Sequence, residues 1–149
     1  SLSELGFGFL EIGGVTPLPQ DGNPKPRLFR LQRDKAIINR LGFNNKGMKV
    51  IGSKLKRSFS KVPVGINLGA NRDSKNRIED YSKVLLECGY FVDFATLNIS
   101  SPNTIKLIYL QDPYNLNILL FKLLGVQKKL IKNIPIFLNI SPFLIDQSL

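Results

Sequence analysis

The stretch Asn98-Ile99-Ser100-Ser101-Pro102-Asn103-Thr104 gathers amides, hydroxyls and a proline directly behind an apolar run from Tyr90 to Leu97. Such a stretch cannot form a core. It can present amides and hydroxyls to a ligand where a strand opens into a loop. Pro102 fixes its own φ and disfavours helix at Ser101, so Ser101 is expected to be extended, with its hydroxyl free. The same residues also suit an ordinary strand-to-helix turn with an N-cap. Composition at this point leaves both readings open.

The ends of the other apolar runs carry a related pattern. They stop at Gly13-Gly14, Asn67, Asn98 and Asn139, so three of the four finish on asparagine. In a parallel α/β fold the carboxyl ends of the strands share one face, where ligands bind. Asparagine supplies a donor and an acceptor without charge, which suits a flat heterocycle with alternating carbonyl and N–H groups. Asparagine also opens loops well on purely structural grounds.

These residues need elements to position them. Phe7 to Ile12 reads as a strand stopped by Gly13-Gly14, and Val62 to Asn67, Phe91 to Asn98 and Ile134 to Ile140 read as three more. Thr16 to Pro26 holds four prolines, which forbids helix and central strand and predicts an extended excursion. Arg27 to Leu31 reads as a short strand of that excursion, and Asp34 as the cap of a short helix over Lys35 to Asn39. A basic amphipathic segment follows, with Val50, Ile51 and Leu55 as its apolar positions. Asn71 to Asn76 reads as polar linker. Ile78, Tyr81, Val84, Leu85 and Cys88 share one face of a helix that Gly89 should stop. Asp112 or Asn115 should cap a helix to about Leu130, with Leu116, Leu119, Leu120, Leu123 and Leu124 as its stripe. Strands and helices alternate, and the short continuous apolar strands predict a parallel α/β sheet covered on both faces.

Composition excludes several chemistries. The 149 residues, 43% hydrophobic, suffice for one domain. One cysteine and no histidine exclude a disulfide framework, the usual zinc sites and any Ser-His or Cys-His pair within the chain. Cys88 reads as packing. No Gly-rich phosphate fingerprint follows a strand, which argues against a dinucleotide-binding fold. The formal charge is +10, yet the basic residues are scattered and do not interleave with aromatics, so nucleic acid is not an expected partner. No apolar run reaches the length of a membrane span. No targeting peptide is visible and the first residue is Ser1, so the chain reads as a piece of a longer product.

Gly6 to Gly13, the excursion from Thr16-Pro17 to Arg30, Ile38 to Asn44, Gly65-Ile66-Asn67-Leu68-Gly69 and Asn98 to Thr104 together resemble dihydroorotate dehydrogenase of the quinone-linked, class 2 type. The resemblance runs along nearly the whole chain and in order. It implies a partial (β/α)8 barrel, TIM type, in which residues 1–149 form one incomplete domain covering barrel strands two to five. It further implies FMN as cofactor, dihydroorotate and orotate as substrate and product, and ubiquinone as the final electron acceptor in pyrimidine synthesis. Ser101 matches the family's general base, where class 1 enzymes carry cysteine. Asn39, Arg40, Leu41, Gly42 and Phe43 match a substrate-binding run, and Asn98 and Asn103 match substrate amides. Gly14, Asn67, Asn98 and Asn139 fall at flavin-contacting positions. A serine is a weak base and needs a dry pocket and a proton relay, for which Thr104 and Phe43 are the expected neighbours.

Departures from the family pattern are as informative. Threonine is usual where Gly14 stands, and a flavin-contacting lysine where Asn139 stands. Loss of that ammonium removes a charge-assisted hydrogen bond worth roughly 1.5–3 kcal/mol. The family's lid loop, which follows Thr104, has glycine and arginine at the positions of Lys106 and Ile108; separately, Leu18 replaces a usual basic residue. The implied first strand, last three strands and membrane-associating helices are not in the sequence. These residues alone are therefore expected to be inactive, with open sheet edges. A degenerate non-catalytic copy of the enzyme and a basic binding module are the alternative readings. The Asn23 to Arg27 and Asp34 to Asn39 runs look like animal members of the family, which implies the mitochondrial inner membrane and membrane association through a segment not in this sequence.

Overall fold

Short β-branched runs bounded by turn residues build the sheet of the computed structural model, which describes residues 2–100 and 109–140. Strands β1 (Leu10–Val15), β4 (Val64–Leu68), β5 (Phe94–Asn98) and β6 (Ile136–Asn139) lie side by side in that order, all parallel. Helices α1 (Met48–Arg57), α2 (Arg77–Cys88) and α3 (Pro113–Gln127) connect them in sequence. Strands β2 (Leu28–Leu31) and β3 (Ala36–Asn39) form a separate antiparallel hairpin inside the long β1–α1 connection.

The core lies between one face of the sheet and the helices. Ile66, Leu68, Ala95 and Leu97 are fully buried there against Tyr81, Val84, Leu85 and Cys88 of α2 and Leu119 and Leu123 of α3. Asn76 caps α2 by accepting from the Glu79 N–H at 3.1 Å. Asp112, followed by Pro113 at the first helical position, caps α3 through Tyr114 and Asn115. Burial pushes the Cys88 thiol up to about 12, so Cys88 is packing, as the sequence indicates.

The opposite face is lined by alternate residues of each strand. Phe9, Phe94 and Phe137 meet there edge to face, with ring centroids 5.6 Å apart in both pairs. The Phe94 ring lies so close over Gly65 that a Cβ at Gly65 would stand 2.1 Å from it. Among the described residues nothing covers this face, so the expectation of cover on both faces is met on the helical side alone. That is the geometry of a barrel wall whose inner face is open.

Three local expectations are corrected. Lys35 to Asn39 is not helical: Lys35 takes a left-handed φ of 49° in a turn, and β-branched Ile37 and Ile38 pair with Arg30 and Phe29 in the hairpin. The first strand is not stopped by Gly13-Gly14 but passes through them to Val15, with a register shift between Gly13 and Val15. Gly89 stops α2 after Cys88 as expected, but not in a left-handed conformation. Its φ is −59°, it opens a 3-10 turn (Gly89–Phe91), and the need for glycine there is space, since a Cβ would meet Leu130 at 2.7 Å. Leu124 of the α3 stripe is half exposed, whereas Leu119 and Leu123 are buried.

Two consequences can be measured. Gly65→Ala should destabilise the fold by about 1–3 kcal/mol through overpacking against Phe94, and adding Phe94→Ala should recover part of that loss in urea melts. Lys132 and the Val64 N–H both bond Asp93 and hold its carboxyl below the usual carboxylate range. The stability this contributes is present above the unfolded pKa of about 3.9 and is lost as pH falls through the lower folded value. Asp93→Asn should therefore lower stability at neutral pH and flatten the acid limb of the profile of urea midpoint against pH.

Candidate functional site

The carboxyl ends of β1, β4 and β5 open onto a cleft of about 270 Å³ lined by Gly13, Gly14, Asn39, Leu41, Gly42, Phe43, Asn44, Asn67 and Asn98. Among the described residues no lysine, arginine or carboxylate lines it. The lining is mainly uncharged amides, backbone and one aromatic ring. Such a cleft suits a neutral ring with its own carbonyl and N–H groups better than a phosphate.

Each wall has a local cause. Asn98 ends β5 and Asn67 stands one residue before the end of β4, both on the inner face, and the Asn98 Nδ2 donates to the Asn67 Oδ1 at 3.2 Å. The Asn98 carbonyl is held from behind by the buried Tyr81 hydroxyl at 2.8 Å, and burial raises the Tyr81 pKa. The Gly13–Gly14 peptide is cis. A Cβ on Gly13 would meet the Asn67 carbonyl at 2.6 Å, and one on Gly14 would meet the Phe43 ring at 2.7 Å. Phe43 itself takes a left-handed φ of 54°, which costs energy for a non-glycine residue and turns its ring onto Gly14.

An amide cluster holds the segment from Asn39 to Asn44 over the strand ends. The Gln20 Nε2 donates to the carbonyls of Gly42 and Phe43 at 3.1 and 3.2 Å. The Asn45 Nδ2 donates to Phe43 O and to Thr16 Oγ1. Asn71 anchors both: its Nδ2 lies within 3.2 Å of Thr16 Oγ1, Leu18 O and Gln20 Oε1, and its Oδ1 accepts from the Leu18 N–H at 2.9 Å. Asn71 is thus a hub and more than a linker residue.

The structure brings together Gly14, Asn39, Leu41, Gly42, Phe43, Asn67 and Asn98 of the residues singled out in the sequence. Arg40 is turned away, its guanidinium donating to the Pro26 carbonyl at 2.9 and 3.2 Å. Asn139 does not line the cleft, although it is the register partner of Asn98 at the end of β6. Ser101, Asn103 and Thr104 lie outside the described residues. Their neighbour Ser100 directs its N–H and hydroxyl to Asn98 Oδ1, both at 3.3 Å. The sequence reading missed Glu11, whose carboxylate accepts from Asn67 Nδ2 at 2.8 Å and from the Thr96 hydroxyl. A charged residue at an inner-face position of an apolar strand was the available signal.

Parallel βα units, an open inner wall and a ligand cleft at the strand ends define a segment of a (β/α)8 barrel enzyme fold. The dihydroorotate dehydrogenase family model matches residues 1–149, and the chain belongs to that family. Curated relatives named dihydroorotate dehydrogenase (quinone) include those of Cereibacter sphaeroides, 51% identical over 100% of this chain, and a Chelativorans species, 49% identical over 100%. The chain spans about 42% of the length of each. Among solved structures, that of DHODH in complex with ferulenol from Eimeria tenella superposes with a TM-score of 0.86 at 34% identity. The match covers 97% of this chain and 45% of that one.

Asn71→Ala should cost about 1–3 kcal/mol, since it leaves the Leu18 N–H without its acceptor and takes one of two donors from each of Thr16 Oγ1, Leu18 O and Gln20 Oε1. Asn71→Asp should cost at least as much, because it sets an acceptor against Leu18 O and Gln20 Oε1. Chemical denaturation of the two variants beside the wild type checks the order.

Proposed function

We propose that this chain forms the dihydroorotate- and flavin-binding half of a quinone-linked dihydroorotate dehydrogenase, which oxidises dihydroorotate to orotate in pyrimidine synthesis. The observation that carries this is the uncharged amide cleft at the strand ends, built from Asn67, Asn98 and the Asn39–Asn44 segment in a chain of this family. The names of the curated relatives support the quinone as electron acceptor.

The cleft's chemistry fits FMN at its ring and not at its phosphate. Gly14, Asn67, Asn98 and Asn139 would hold the ring, and the bound flavin would supply the hydride acceptor. Asn39, Leu41, Gly42, Phe43, Asn98 and Asn103 would bind the substrate, with Arg40 tying their segment back to Pro26 and Arg27. Ser101, three residues past Asn98, takes the proton from the substrate ring. A serine does this only in a dry site with an onward proton path. Phe43, packed on Gly14, excludes water from one side of that site.

The reading extends to the mitochondrial inner membrane. No helix among the described residues is long and apolar enough to cross a membrane. Membrane association would therefore rest on other residues. A second reading, a non-catalytic copy, is favoured by asparagine at position 139 and glycine at 14, both departures from the family pattern.

In the protein expressed at the length of its curated relatives, Ser101→Ala should cut dihydroorotate oxidation by about 100-fold or more while the flavin absorbance remains. The 149 residues alone should show no turnover. An unchanged rate in the variant, or turnover by the isolated chain, would overturn these statements. A colourless, inactive long protein would support the non-catalytic copy.

A further inference from the structure

Glu11 is the sole carboxylate that bonds the amides of the cleft among the described residues, and it does so from the barrel-facing side of β1. Its two oxygens accept from Asn67 Nδ2 and Thr96 Oγ1. A carboxylate has no hydrogen to give, whereas a side-chain amide can face a neighbour with either its oxygen or its nitrogen. The bond to Glu11 therefore forces the Asn67 nitrogen toward the strand interior and its oxygen toward Asn98. The Asn67 oxygen then takes the Asn98 nitrogen, and the Asn98 oxygen is left to accept from Ser100. Every bond in the chain Ser100, Asn98, Asn67, Glu11 runs in one direction.

Two groups in that chain cannot reverse: the Glu11 carboxylate and the Ser100 backbone N–H. The contacts rank them. The Glu11 bond is 2.8 Å long and charge-assisted, while both Ser100 bonds are 3.3 Å. Glu11 is the stronger pin.

We propose that Glu11 is a positioning residue that sets the orientation of the Asn67 and Asn98 amides, and thereby which edge of each is a donor and which an acceptor toward a ring bound in the cleft. That Asn67 and Asn98 read a flavin rests on the proposed function; that Glu11 orients them does not. A ligand whose carbonyl and N–H groups match this fixed pattern binds without the cost of turning either amide. One with donors and acceptors exchanged leaves buried groups unpaired.

The test uses the protein expressed at the length of its curated relatives, with 15N-labelled asparagine. Glu11→Met keeps the side-chain length and removes the acceptor. The side-chain N–H resonances of Asn67 and Asn98 should both shift, and FMN titrated by fluorescence quenching should bind about tenfold more weakly. Thr96→Val removes the other donor to Glu11 but leaves Asn67 bonded, so it should move neither the Asn98 resonances nor the FMN affinity. Should Glu11→Met fail to fold, Glu11→Leu supplies the same comparison, since it too removes the acceptor and offers no polar atom in its place. Unmoved Asn67 and Asn98 resonances in the folded Glu11 variant would overturn the proposal, as would equal shifts in Thr96→Val. If the wild type takes up no FMN, the flavin reading of the cleft falls, and the amide resonances still decide the role of Glu11.

Discussion

The cleft exists because Asn71 ties the long β1–α1 connection back to the sheet. Its amide reaches Thr16, Leu18 and Gln20 together, and Gln20 in turn holds the carbonyls of Gly42 and Phe43. Beside that anchor, the hairpin, the Asn45 bonds and the Asn23 bonds to the Arg40 and Leu41 carbonyls keep the segment from Asn39 to Asn44 over the strand ends. A loop rich in proline and glycine has no regular ladder of its own, so side-chain amides replace it. The cost of ordering this segment is offset by a cluster in which nearly every donor faces an acceptor.

The same economy governs the floor of the cleft. Gly13, Gly14 and Gly65 sit where a β-carbon would strike Asn67, Phe43 or Phe94. Their small size lets a backbone strand, a ring and two amides converge on one point. Polar groups occupy the upper layer of the inner wall and aromatic rings the lower. Glu11 and Thr96 stand between them, giving the amides a fixed electrostatic reference.

The open inner face gives the fold its functional context. A barrel wall encloses nothing by itself, and Phe9, Phe94 and Phe137 need partners across the barrel axis to be covered. The chain spans about 42% of its curated relatives, and the uncovered wall matches that share of a barrel. Among the described residues the cleft is lined by amides, backbone and one aromatic ring and by no cation.

The amino-acid sequence alone determined the alternation of strands and helices, the asparagines at strand ends and the family. Those depend on local periodicity, capping and turn chemistry, which act over a few residues. Asp112 before Pro113 shows it, since cap and helix start lie side by side in the chain. Tertiary structure decided what propensity could not. Ala36–Asn39 became a strand because Leu28–Leu31 lay ready to pair with it, and the first strand ran through two glycines because β4 continued alongside. Arg40 faced Pro26 and not the cleft, while Glu11, unremarkable within Phe-Leu-Glu-Ile, came to hold an amide 56 residues away. Contacts of that separation depend on register and on the path of the excursion, and both are fixed only when the sheet and its helices have packed.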